Sequence, residues 1–131
     1  MRGELVTAAM QRARMCELLA EATGRWRDAG ALFMAGLFSL LDARMRAPMA
    51  EVVDRLDLAP ELRGTLLDRE GPYATTLRLV EAFEGGRWDD VTRAADALPL
   101  SLTELTELYA RAVEWARERS VEGSGAAERA A

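Results

Sequence analysis

Few side chains in this sequence can hold a cation or move a proton. Carboxylates able to bind Mg²⁺ stand at Asp42, Asp54, Asp57, Asp68, Glu70, Asp89 and Asp90. There is no histidine, which removes the usual neutral-pH base and the commonest metal ligand. A Ser-His-Asp triad, a Cys-His pair and the His-based zinc motifs are therefore excluded. No glycine-rich phosphate loop follows a strand pattern. Asp89 and Asp90 open a helical stretch, where they favour the helix dipole. Asp54 and Asp57 read as the wet face of a short amphipathic helix. The single cysteine, Cys16, can form no internal disulfide. Beside Met15 and Leu18 it reads as a small buried hydrophobe and not as a reactive thiol. Trp26, Trp88 and Trp115 are too scattered for a stacking platform and read as core or interface residues.

The elements that must position these groups are helical throughout, since no stretch sustains strand alternation. Glu4, Thr7, Gln11, Arg14 and Glu21 recur at three-and-four spacing as one solvated stripe. Leu5, Ala9, Ala13, Cys16, Leu19 and Ala20 line the other side, and Gly24 ends the helix. A second helix is expected from Asp28, as N-cap, to about Arg44. From residue 29 to residue 41 only Ser39 has a polar side chain, so this helix is expected to be the central buried one. Gly30, Ala31, Ala35 and Gly36 would let its neighbours approach closely. Pro48 and Pro60 each open a short helix, and "REGP" at 69–72 is a turn. Further helices run through Leu77, Val80 and Phe83 to Gly85–Gly86, and from Trp88 to Leu98. Ser101 and Glu104 form a capping box for the last one, whose apolar positions include Leu105, Leu108, Ala112 and Trp115. "SVEGSGAAERAA", at the end of the chain, has little to bury.

The 131 residues are 50% hydrophobic, enough for one domain with a real core. The net charge is −5, which argues against a general nucleic-acid footprint. All 17 basic residues are arginine. The first residues, "MRGELVTAAMQRARM", carry charges every few positions and do not read as a signal peptide. The apolar run at 29–41 falls short of the roughly 18 residues needed to span a bilayer. The expectation is a soluble, cytoplasmic protein with no membrane or nucleic-acid partner.

Four stretches then fall into a familiar order: "RARMCELLA" (12–20), "FMAGLFSLLD" (33–42), "PMAEVVDRLDL" (48–58) and "VEAFEGGRW" (80–88). Together they resemble the HDOD domain, a relative of the HD phosphohydrolases, as found in the C-terminal region of EAL-HDOD signalling proteins. The resemblance covers roughly residues 4 to 118. "GLFSLLD" (36–42) is similar to the "GLLHDIG" metal-binding strip of the HD superfamily. In that register the metal-binding His falls on Ser39 and the metal-binding Asp on Leu40, so the strip is expected to be packed core. No EAL domain is present in these residues, nor are the N-terminal helices usual in an HDOD domain.

What the resemblance implies is an all-α, HD/HDOD-like orthogonal bundle of about six to seven helices over residues 1–120; the tail at 121–131, with little to bury, is expected to be disordered. The implied function is a non-catalytic signal-transduction or protein-interaction module without metal or cofactor, whose partner is an EAL-domain signalling protein. The alternative is a nucleotide or metabolite binder whose cleft is lined by Ser39, Asp42, Asp68, Arg69 and Tyr73. A homodimer is expected, with Val6, Met10, Trp26 and Phe33 at its interface. The rival is a monomer in which the last helix, 102–116, folds back over that surface.

Overall fold

A computed structural model describes the backbone of residues 2–130 and the side chains of residues 3–119. The tail expected to be disordered lies outside the residues whose side chains are described. Among the described residues the chain forms α1 (Arg2–Ala22), α2 (Ala29–Phe38), α3 (Leu41–Met45), α4 (Met49–Arg55), α5 (Pro60–Asp68), α6 (Ala74–Glu84), α7 (Trp88–Ala97) and α8 (Leu102–Ala130), with a 3-10 turn at Trp26–Asp28 and no strand. The expected all-α bundle is what forms. Among the described residues no helix is long and apolar enough to cross a membrane.

The central helix is α1, not the apolar second one. Ala13, Met15, Cys16, Leu18, Leu19 and Ala20 are all 2% exposed or less. At about 100° per residue these positions span about 220° of the helix surface, packed by α2, α6 and α8, and Arg14, Glu17 and Glu21 occupy the remaining arc. The polar stripe read from the sequence is in part covered. Arg14 lies half-buried, its guanidinium 5.5 Å from the Trp115 ring of α8. The second helix, by contrast, buries Leu32, Ala35 and Gly36 and leaves Met34 exposed. Hydrophobicity alone could not decide this: a helix packed on three sides tolerates Arg12, Arg14 and Glu17 if each finds a partner at the seam.

Glycine decides how closely α1 and α2 approach. A Cβ on Gly36 would lie 2.8 Å from Ala13 Cα and from the Arg12 carbonyl oxygen, so only glycine fits there. Gly30, credited with the same role, has nothing within 4 Å. The expected single helix to Arg44 is broken at Ser39 and Leu40. The Ser39 hydroxyl donates to the Gly36 carbonyl at 2.7 Å, which competes with the backbone ladder.

Most of the expected boundaries hold. Gly24 ends α1 at φ +78°, with Arg25 N–H on the Ala20 carbonyl at 2.7 Å and Gly24 N–H on Glu21 at 3.2 Å, a Schellman closure. Asp28 makes no cap bond. Its carboxylate takes the Arg25 guanidinium at 3.1 Å instead. Ser101 does cap α8, accepting the Glu104 N–H at 3.1 Å.

The main core joins α1, α6 and α8 through Leu19, Leu77, Val80, Leu105 and Ala112. A smaller cluster holds Ala35, Val53, Leu62 and Leu66. Tyr73 packs against both. Each such aliphatic side chain contributes about 1.5–3 kcal/mol on burial.

Candidate functional site

Arg12 interrupts the apolar side of α1, one turn before Cys16 and three residues after Ala9. An arginine there must find a carboxylate. The carboxylates come from α6, where Glu81 and Glu84, three residues apart, share a face. The Arg12 guanidinium reaches both oxygens of Glu84, Nη2 and Nε donating to Oε1 at 2.7 and 3.0 Å and Nε also to Oε2 at 3.3 Å. Its Nη1 lies 3.6 Å from Glu81 Oε2 and donates to Ser39 Oγ at 3.0 Å. On the far side of Glu81, Arg69 donates through Nε at 2.8 Å and Nη2 at 3.0 Å.

Arg69 reaches that place because of where α5 stops. It caps α5 in the left-handed region at φ 53°, where glycine is the usual residue. Its guanidinium offsets the strain by donating to the last carbonyls of its own helix, Thr65 at 3.0 Å and Leu66 at 2.8 Å. Four elements thus meet at one cluster of two cations and two anions. The balance of charge is what makes it tolerable at this depth, with the Arg12 side chain 13% exposed.

Burial alone would lower the Arg12 pKa. The hydrogen bond and charge of Glu84, with the charge of Glu81, outweigh it and hold the guanidinium above its ordinary value. Cys16 lies fully buried beneath, and burial pushes its thiol up despite the pull of Arg12. It is a packed hydrophobe, as its neighbours in sequence implied, and not a nucleophile. Both Glu81 oxygens face guanidinium groups, and both Glu84 oxygens accept from Arg12. Among the described residues no three His, Cys, Asp or Glu converge to hold a metal ion.

The proposed cleft residues part company here. Ser39 is 5% exposed and belongs to the cluster, as does Arg69. Tyr73 is half-buried between the two cores. Asp42 accepts its own neighbour's N–H, from Ala43, at 2.8 Å, and neither it nor Asp68, which is exposed, joins the cluster. Leu40, expected in the core, is half-buried. It lines a surface groove of about 230 Å³ with Leu5, Val6, Leu37, Leu41 and Arg44.

Of the expected interface residues, Val6 (37% exposed) and Trp26 (64%) are open, whereas Met10 is half-buried. Phe33 meets Trp115 of α8 edge-on, ring centroids 6.0 Å apart. The last helix therefore packs on Phe33, one of the residues assigned to a second copy. Sequence reasoning missed Arg12, Glu81 and Glu84. The available signal was a charge at an apolar position of α1 and a Glu pair, 81 and 84, interleaved with Val80, Ala82 and Phe83.

Two curated proteins are similar to the chain. One, from Vibrio cholerae serotype O1, is named cyclic di-GMP phosphodiesterase CdgJ and is 32% identical over 115 residues, 88% of this chain and 27% of that protein. The other is an uncharacterized Bacillus subtilis protein, YuxH, 33% identical over 112 residues, 86% of this chain and 27% of that one. The chain thus spans about a quarter of the length of these relatives. No family model matches it, and no solved structure does.

Proposed function

We propose that the chain is a non-catalytic, HDOD-like module of cyclic di-GMP signalling that works by binding protein. One observation carries the reading. Ser39, at the position of a metal-binding His in the resemblance, is buried and hydrogen-bonded to Arg12. Arg12 in turn occupies the carboxylates nearest to it, Glu81 and Glu84. A paired guanidinium stands where a hydrolase of this kind needs a cation and its water. The similarity to a protein named cyclic di-GMP phosphodiesterase supports the signalling context, and the partner proposed is an EAL-domain protein.

Self-association belongs to the same reading. Arg44 lines the groove beside Val6, and Glu4, Arg44 and Arg46 line the neighbouring cavity, which shares Leu5 and Arg44 with it. None of the three has an ion-pair partner among the described residues. A two-fold axis would set Glu4 of one copy opposite Arg44 of the next.

The test is incubation of the purified chain with cyclic di-GMP and Mg²⁺ or Mn²⁺. No linear dinucleotide should form above the protein-free rate. Turnover that Glu81→Gln abolishes would overturn the reading.

A further inference from the structure

We infer that the groove between α6 and α7 docks an acidic peptide segment of a partner protein, read by Arg78, Arg87 and Arg93. This rests on the reading of the chain as a protein-binding module and names the surface and its chemistry.

The groove encloses about 430 Å³. Its basic lining is Arg78 from α6, Arg87 at the start of α7 and Arg93 one and a half turns on. One acidic residue, Asp90, lines it, and two of the arginines share that carboxylate, Arg87 at 3.6 Å and Arg93 at 3.5 Å. Arg78 donates to the Arg69 carbonyl oxygen at 2.6 Å, a neutral acceptor that leaves its charge uncompensated. Three cations against one anion make a local positive site on a chain whose net charge is −5. Guanidinium groups bind carboxylates through parallel hydrogen bonds, and such a patch steers an acidic partner toward it.

The rest of the lining selects among anions. Ala82, Ala94 and Ala97 contribute small apolar surface, Thr75 adds a hydroxyl, and the lining contains no aromatic residue. Trp88, 54% exposed, stands on the adjoining surface beside Arg87, Asp90 and Arg93, but inside the groove itself a nucleotide base would meet only alanine and threonine surface between the arginines. An extended backbone carrying Asp or Glu needs no ring to stack on.

The experiment is fluorescence anisotropy with fluorescein-labelled hexaglutamate, with neutral hexaserine as control. Saturable binding of hexaglutamate alone is expected, weakening as salt rises. Arg87→Ala with Arg93→Ala should weaken it about tenfold, roughly the loss of one charge-assisted contact. Arg111→Ala with Arg117→Ala removes the same charge from exposed positions of α8 and should leave it unchanged. Circular dichroism checks that both variants fold. Equal loss in the two variants, no hexaglutamate binding, or ATP binding at the groove in its place would overturn the inference. Cyclic di-GMP turnover is a separate readout: hydrolysis overturns the functional reading, whereas absent peptide binding without hydrolysis overturns only the groove.

Discussion

Gly36→Ala adds one methyl group where α1 and α2 touch. The new Cβ would stand 2.8 Å from Ala13 Cα and from the Arg12 carbonyl oxygen, and 2.9 Å from Ala13 N. All three are backbone atoms of an enclosed helix, so no side chain can swing away. Ordinary carbon contacts lie near 3.5–4 Å, so the helices must separate by roughly half an ångström to an ångström. Overpacking of this kind costs about 1–3 kcal/mol. Three backbone contacts below 3.0 Å put this site in the upper part of that range, about 2–3 kcal/mol; alanine returns about 1 kcal/mol of helix propensity, leaving a net loss of about 1–2 kcal/mol. For a chain of this length that lowers Tm by roughly 3–10 °C. Gly30→Ala, on the same helix, is the matched control. It has nothing within 4 Å and should hold or raise stability, by at most about 1 kcal/mol. Thermal and urea unfolding followed by far-UV circular dichroism would measure both. A Gly36→Ala protein as stable as the parent would refute the close approach, and with it the placement of Ser39 against Arg12.

Arg12→Met leaves Glu84 without its guanidinium and should cost about 1–3 kcal/mol, less than a fully buried pair because both side chains see some water; adding Glu84→Gln should recover part of it, and a double-mutant cycle in urea with no coupling would refute the pairing. Cys16 should resist Ellman's reagent at neutral pH in the folded protein and react once unfolded. Its thiol is pushed up from 9.0 on folding, so its contribution is whole below about pH 9 and is lost as pH rises above that, where the unfolded state ionises first. The urea midpoint should therefore fall in alkali, and less so for Cys16→Ala. Elemental analysis after dialysis should find no stoichiometric divalent metal, and Ser39→His with Leu40→Asp should destabilise the fold mainly through the buried position 39, with thermal melts of the single variants separating the two. Sedimentation equilibrium should show a homodimer that Val6→Glu dissociates; a monomer mass at high micromolar concentration would count against it.

The pattern of residues determined the class of fold and most of its boundaries, because those rest on local physics. Helical spacing, the glycine closure at Gly24 and the Ser101 cap act within a turn or two of chain, and each formed where the sequence placed it. The absence of histidine was also final, since no fold supplies a missing side chain. Which helix is central was not local. The most apolar segment lost that place to α1, because enclosure depends on how many neighbours surround a helix, and Gly36 sets that approach. Nor was the charged cluster legible. Arg12 and Glu84 stand 72 residues apart, and Arg69 enters only because α5 ends in a left-handed turn. Hydrophobic periodicity is local to each helix; which faces are enclosed, and which buried charges pair, is set by the helices that tertiary packing brings together.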